Sequence, residues 1–234
     1  MRTILISFVM LLGACTVEST APVIQAPPKS QTAVQQQADV AVNRFVAVIE
    51  RMEPIVEQVC RERKVKNCDF EIVIDSRPNQ PPNAFQTLDR RGRPVLGFNT
   101  ALIGSVRNAD ELAFVVGHEA AHHIANHLQL QAQSATVGAV IIGSIFSAAT
   151  GGDATAVRTG QEIGAAVGAR SYSKEFELEA DALGTIITHR AGYNPVRGAE
   201  FFNVLPDPGD RFLGTHPPNA DRIATVRRVA RRLK

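Results

Sequence analysis

The residues with the most definite chemistry are His118, Glu119 and His122, in the run His118-Glu119-Ala120-Ala121-His122. Histidines at i and i+4 lie one above the other on a helix, so both imidazoles reach a single ion. Zinc accepts nitrogen and oxygen ligands, and catalytic zinc sites keep one position for water. Glu119 lies about 100° round the helix from His118, where its carboxylate meets that water rather than the metal. A metal that acidifies water, beside a carboxylate that takes the proton, is chemistry for hydrolysing a peptide bond. The expectation is one zinc ion per chain on His118 and His122, with Glu119 as general base.

A third protein ligand must come from elsewhere. One zinc-peptidase pattern places a histidine ten positions after the first, with a glycine three before it. Those positions hold Leu128 and Ala125, so that class fails. A later acidic run, Lys174-Glu175-Phe176-Glu177-Leu178-Glu179-Ala180-Asp181, offers carboxylates instead. Glu177 and Asp181 are i and i+4: Glu177 can bind zinc while Asp181 accepts the outer N–H of a zinc-bound histidine. Glu175 and Glu179 form a second such pair, which spacing alone does not exclude. His123, His127 and His189 receive no role.

The elements that would position these groups can be read from periodicity. Val42, Phe45, Val46, Ile49, Val56 and Val59 recur at helical spacing over residues 38–63, with Pro54 as a kink or division. Residues 70–74 alternate and are β-branched, as in a strand. Residues 83–85 and 94–99 read as two more strands, joined by a charged turn. Residues 100–106 start a short helix, and Asp110 is placed to cap the histidine-bearing helix. Residues 135–169 are rich in Ala, Gly, Ile and Val and read as a buried helical hairpin. A membrane-contacting or lid-like segment is the alternative. Helices follow over 173–188 and from Asn219. The fold class expected is α+β: a mainly helical zinc-peptidase domain with a small antiparallel sheet beside the active-site helix.

The N-terminus carries a different message. Arg2, an apolar run over residues 4–12, and Leu12-Gly13-Ala14-Cys15 form a secretory signal with a lipobox-like end. The run is too short for a bilayer core, which needs about 20 residues. The domains expected are a lipoprotein signal peptide over 1–14, a flexible tether over 15–37 and a metallopeptidase domain over 38–234. Lipidation of Cys15 would anchor the chain to a membrane at the bacterial envelope, facing the periplasm. Thr16, rather than aspartate, after Cys15 favours the outer membrane. Export also places Cys60 and Cys68 in an oxidising compartment, where an even pair reads as a disulfide. The 234 residues are 44% apolar with a net charge of +2, which suits one globular domain and gives no pattern for nucleic acid. The basic cluster Arg227, Arg228, Arg231, Arg232 and Lys234 reads as the solvated face of a terminal helix.

Four segments together resemble the HtpX-like and BepA-like zinc peptidases, a family that includes the CAAX prenyl proteases. They are Asn83-Ala84-Phe85, the His118–His122 helix, Glu177-Leu178-Glu179-Ala180-Asp181, and Thr215-His216-Pro217-Pro218 followed by Arg222-Ile223. The resemblance covers roughly residues 83–228. It selects Glu177 as third ligand and Asp181 as the partner of a ligand histidine. It implies a strand near Asn83 or Phe98 whose edge takes an extended substrate. It makes His216 a regulatory zinc contact that keeps the enzyme latent, or, with its neighbours, a cap that orients the last helix. It makes Arg222 a stabiliser of the oxyanion. Ala121 stands where the family often has glycine, a small change. The chain lacks the several long apolar spans of integral-membrane members and is closer to the periplasmic lipoproteins. By resemblance the substrates are proteins or peptides, in the form of misfolded or stalled envelope proteins, and the partners include the outer-membrane assembly machinery. A chaperone-like assembly factor with little proteolysis and a purely structural metal protein are the competing readings.

Overall fold

The computed structural model describes residues 31–171, 173–207, 209 and 216–233. The signal segment, Cys15, most of the tether and Thr215 lie outside the described residues. The first helix, α1 (Gln31–Glu62), begins inside the segment read as tether. Gln and Ala are good helix formers and the last proline before them is Pro28, so nothing stops the helix from extending. Its first residues are exposed, and burial starts at Phe45. Phe45, Val48, Met52, Val56 and Val59 then line one face against the core. Pro54 lies on the exposed side and does not divide the helix.

Three strands follow: β1 (Glu71–Asp75), β2 (Ala84–Leu88) and β3 (Pro94–Asn99), in sheet order β1-β3-β2. The tight turn after β2, where Asp89 accepts from the N–H groups of Arg91 and Arg93, makes β2 and β3 an antiparallel pair. β1 pairs with the far side of β3 and is parallel to it, so the sheet is mixed rather than antiparallel throughout. The loop after β1 carries the chain past the central strand position, and nothing local in β1 encodes that crossing. β3 is buried along its whole length. Gly97 of β3 faces Phe85 of β2, and a Cβ there would lie 2.2 Å from the ring. The missing side chain lets Phe85 lie across the sheet.

After the short α2 (Thr100–Ser105), α3 (Ala109–Ile124) carries the histidines through the core. Its N-cap is Asn108, whose side chain accepts from the Glu111 N–H, not Asp110. Asp110 instead accepts from the Asn194 N–H at 2.9 Å and lies 3.4 Å from Arg197. α3 packs antiparallel to α6 (Ser173–Arg190) at two facing glycines. A Cβ on Gly184 would lie 2.9 Å from the His118 backbone nitrogen, and one on Gly117 would lie 3.0 Å from the Gly184 carbonyl oxygen. This close approach brings the acidic face of α6 to the histidines.

In chain order, the hairpin of α4 (His127–Thr150) and α5 (Ala154–Arg170) comes between them. A hairpin is what the composition predicts, but it is not buried. In α4 only His127 and Gly143 are buried, while Val137, Val140, Ile141 and Ile145 are more than half exposed. Apolar composition predicts burial only where a neighbouring element exists to provide it, and each helix here packs mainly on the other. α4 is also longer than its apolar run, and by length and composition alone it could cross a bilayer. The chain then forms α7 (Pro195–Gly198), a 3-10 turn (Ala199–Val204) and α8 (Asn219–Ala230). α8 buries Arg222 and Val226 and exposes Arg227 and Arg228. A disulfide joins Cys60, at the end of α1, to Cys68, just before β1.

Candidate metal centre

α3 projects His118 and His122 toward α6, and α6 returns Glu177. The two Nε2 atoms are 3.1 Å apart. The Glu177 carboxylate lies 3.5 Å from His118 Nε2 and 3.4 Å from His122 Nε2. One donor atom from each residue falls within 4.8 Å of the others, a spread that one small cation can bridge. Spacing left two acidic pairs open, and only Glu177 of the four carboxylates joins this group.

Each histidine is held from behind. His118 Nδ1 is 2.9 Å from Asp181, which is fully buried. His122 Nδ1 is 2.9 Å from Nδ1 of His127, whose Nε2 lies 3.3 Å from Glu179. The assignment that satisfies this chain has His122 donating to His127 and His127 donating to the Glu179 carboxylate. Both ligand histidines then turn an Nε2 lone pair toward the same point. His127 carries no recognisable signal in the sequence. α3 stops at Ala125, Asn126 takes a left-handed φ of 61°, and the chain turns so that His127 meets His122. A histidine five positions on is not on the same helical face, so periodicity passes over it. His123 does not join: its Nε2 bonds the Asn67 carbonyl at 2.9 Å and its ring meets Phe70 edge-on.

Arg222 reaches in from α8. Its Nε and Nη2 bond both oxygens of Asp181 at 2.8 and 2.7 Å, and Nη2 lies 3.3 Å from Glu177. The guanidinium also covers the Phe202 ring at 3.9 Å. It is thus engaged with carboxylates and borders the cavity as well.

The electrostatics suit a cation. Burial and the Arg222 charge oppose protonation of His118, but hydrogen bonds to Asp181 and Glu177 outweigh them and push its pKa up to about 10. Burial raises the Glu177 carboxyl, yet hydrogen bonds from His118 and His122 hold it well below the usual carboxylate range. Carboxylates that stay ionised and stabilise positive charge on the imidazole would equally favour a divalent cation in place of that proton. The Glu119 carboxyl moves the other way, raised chiefly by burial. A proton acceptor that works near neutral pH needs that direction.

The group opens into a cavity of about 390 Å³. Pro82, Asn83 and Ala84–Gln86 of the β2 edge, Glu119, His216 and Arg222 share its lining with the three donors. β2 is an edge strand, whereas β3, which carries Phe98, is paired on both sides. Of the two strands the sequence offered for an extended substrate, only the one at Asn83 has an edge to offer.

Two histidines, a glutamate and a carboxylate in the same cavity are a donor set suited to a mononuclear hydrolytic metal site. The chain matches peptidase family M48 over residues 48–230, and it belongs to that family. It is 32% identical over 170 residues to the beta-barrel assembly-enhancing protease of Escherichia coli (strain K12), covering 67% of this chain and 34% of that protein. It is 25% identical over 207 residues to a putative beta-barrel assembly-enhancing protease of Vibrio cholerae, covering 80% and 43%. The Yersinia pestis protein of the former name is 30% identical over 168 residues. The chain therefore spans less than half the length of these relatives.

Proposed function

We propose that the chain is a zinc-dependent endopeptidase of the bacterial envelope, with zinc on His118, His122 and Glu177. The observation that carries this reading is the three-donor group opening into a cavity that also holds Glu119. Zinc bound there would supply Lewis-acid polarisation and acidify water. The chain's own residues do the rest. Glu119 accepts the proton of the attacking water and returns it to the leaving amine. Asp181 and His127 fix the tautomers of the two ligand histidines. Arg222 holds Asp181 and Glu177 in place, and its position in the cavity lining also supports the oxyanion role. The β2 edge offers backbone groups to an extended polypeptide beside the metal. His216 lines the same cavity, which supports its role as a latch on the metal.

The names of the relatives, beta-barrel assembly-enhancing proteases, support an envelope location and a part in outer-membrane assembly, and the proposal adds that the clients are misfolded or stalled envelope proteins. Lipidation at Cys15 and a tether before the catalytic domain complete the proposal. Glu119→Gln tests its core. It should lower kcat on casein by about 10²–10⁴-fold while zinc content stays unchanged. A variant that cleaves at the wild-type rate would overturn the assignment. If the envelope function survives while cleavage is lost, the chaperone-like reading takes its place.

A further inference from the structure

The α4–α5 hairpin carries a second concavity, a groove of about 680 Å³. Its floor is backbone. A Cβ on Gly138 would lie 2.1 Å from the Gly164 carbonyl oxygen, and one on Gly164 equally close to that of Gly138. A Cβ on Gly168 would lie at the same distance from the Ser134 carbonyl oxygen. The two helices thus pack backbone to backbone, and their flanking side chains stand up as walls. Val137, Ile141 and Ile142 of α4 and Val167 of α5 form them, and among the described residues no charged side chain lines the groove. Val137 is 57% and Ile141 53% exposed, so among the described residues nothing covers these walls.

The position of the groove says what fills it. Phe176 lines its near end and also lines the metal cavity. Phe176 precedes the metal donor Glu177, and its ring stacks on His127 at 4.5 Å. The first turns of α4 likewise serve both spaces, with Leu128 and Gln131 in the cavity and Leu130 and Gln133 in the groove. The groove therefore adjoins the cleft through Phe176 and the first turns of α4. We propose that it is an exosite for an uncharged, apolar stretch of the polypeptide substrate, flanking the segment held at the metal. This rests on the peptidase reading above and gives that site its substrate class: unfolded chains that expose apolar segments. A bilayer fits less well. A groove is concave, and Arg158 and Glu162 on the exposed side of α5, with Asp153 at the hairpin tip, would have to enter hydrocarbon.

The test uses the full chain with Ile141→Glu and Val167→Glu combined. Both positions are exposed, so the fold should be kept, and circular dichroism checks it. Binding is measured by fluorescence anisotropy in a Glu119→Gln background with two labelled peptides. One is a 20-residue Leu/Val/Ser peptide, the other its central eight residues. The expected result is about a tenfold or greater loss of affinity for the long peptide and no change for the short one. Equal affinity of both proteins for the long peptide overturns the exosite. So does a loss confined to vesicle binding (phosphatidylethanolamine with phosphatidylglycerol), or a loss confined to self-association in sedimentation. Hydrolysis of the short peptide by the zinc-loaded wild-type chain is scored separately. Its absence, with groove-dependent binding intact, would reject the peptidase reading and leave the exosite standing.

Discussion

At the scale of single residues, the two ligand histidines are supported by unlike partners. His118 rests on Asp181, which Arg222 fixes by two hydrogen bonds. His122 rests on a neutral relay through His127 to Glu179, whose carboxylate is 58% exposed. The first support is rigid and buried; the second reaches solvent. Removing His127 leaves His122 free to rotate and to change tautomer. His127→Ala should therefore weaken zinc binding by about 10–100-fold, measured by competition with a chromogenic chelator. Unchanged affinity would mean that the relay only packs the site. The ligand pair and the base were legible because the i,i+4 rule acts within one helix. Asp181 was legible only as a member of one of two acidic i,i+4 pairs, and the family resemblance rather than spacing chose it. His127 was not, because its contact depends on a left-handed turn at Asn126, and a lone asparagine is a weak signal for one.

At the scale of elements, the site depends on how closely α3 and α6 approach. Glycines facing each other at 117 and 184 set that distance, and every donor from α6 inherits it. Gly184→Ala introduces a methyl 2.9 Å from a backbone nitrogen, a group that cannot move away alone. The helices must part, separating Glu177 from the histidines. The expected cost is about 1–3 kcal/mol of stability in urea unfolding, with weaker zinc binding in the same protein. If zinc affinity holds while stability falls, the donors are positioned by something other than this crossing. Strand positions and helix periods were readable because they are local patterns. The parallel pairing of β1 was not, because its partner lies more than twenty residues on, beyond β2. Exposure of the α4–α5 hairpin was equally hidden: apolar and glycine-rich sequence looks the same whether its neighbour is a core, a substrate or lipid.

At the scale of the whole molecule, α1 wraps the outside of a core built by the sheet, α3 and α6, and a single covalent link ties it there. The Cys60–Cys68 bridge closes a short loop, with a sequence separation of 8. Restriction of the unfolded chain by a loop of this size contributes about 2.5 kcal/mol. Cys60→Ser should lower stability by about that amount, and reductant should do the same to the wild-type chain but not to the variant. Equal sensitivity of both to reductant would remove the bridge from the account. A metal held by His118, His122 and Glu177 would add a second, non-covalent tie between α3 and α6. Metal content is accordingly the most direct measure of the central claim. Elemental analysis of the purified, dialysed chain should find one zinc per molecule, and little or none in His118→Ala, His122→Ala or Glu177→Ala. A wild-type chain that binds no zinc, or a Glu177→Ala variant that keeps its full complement, would contradict it.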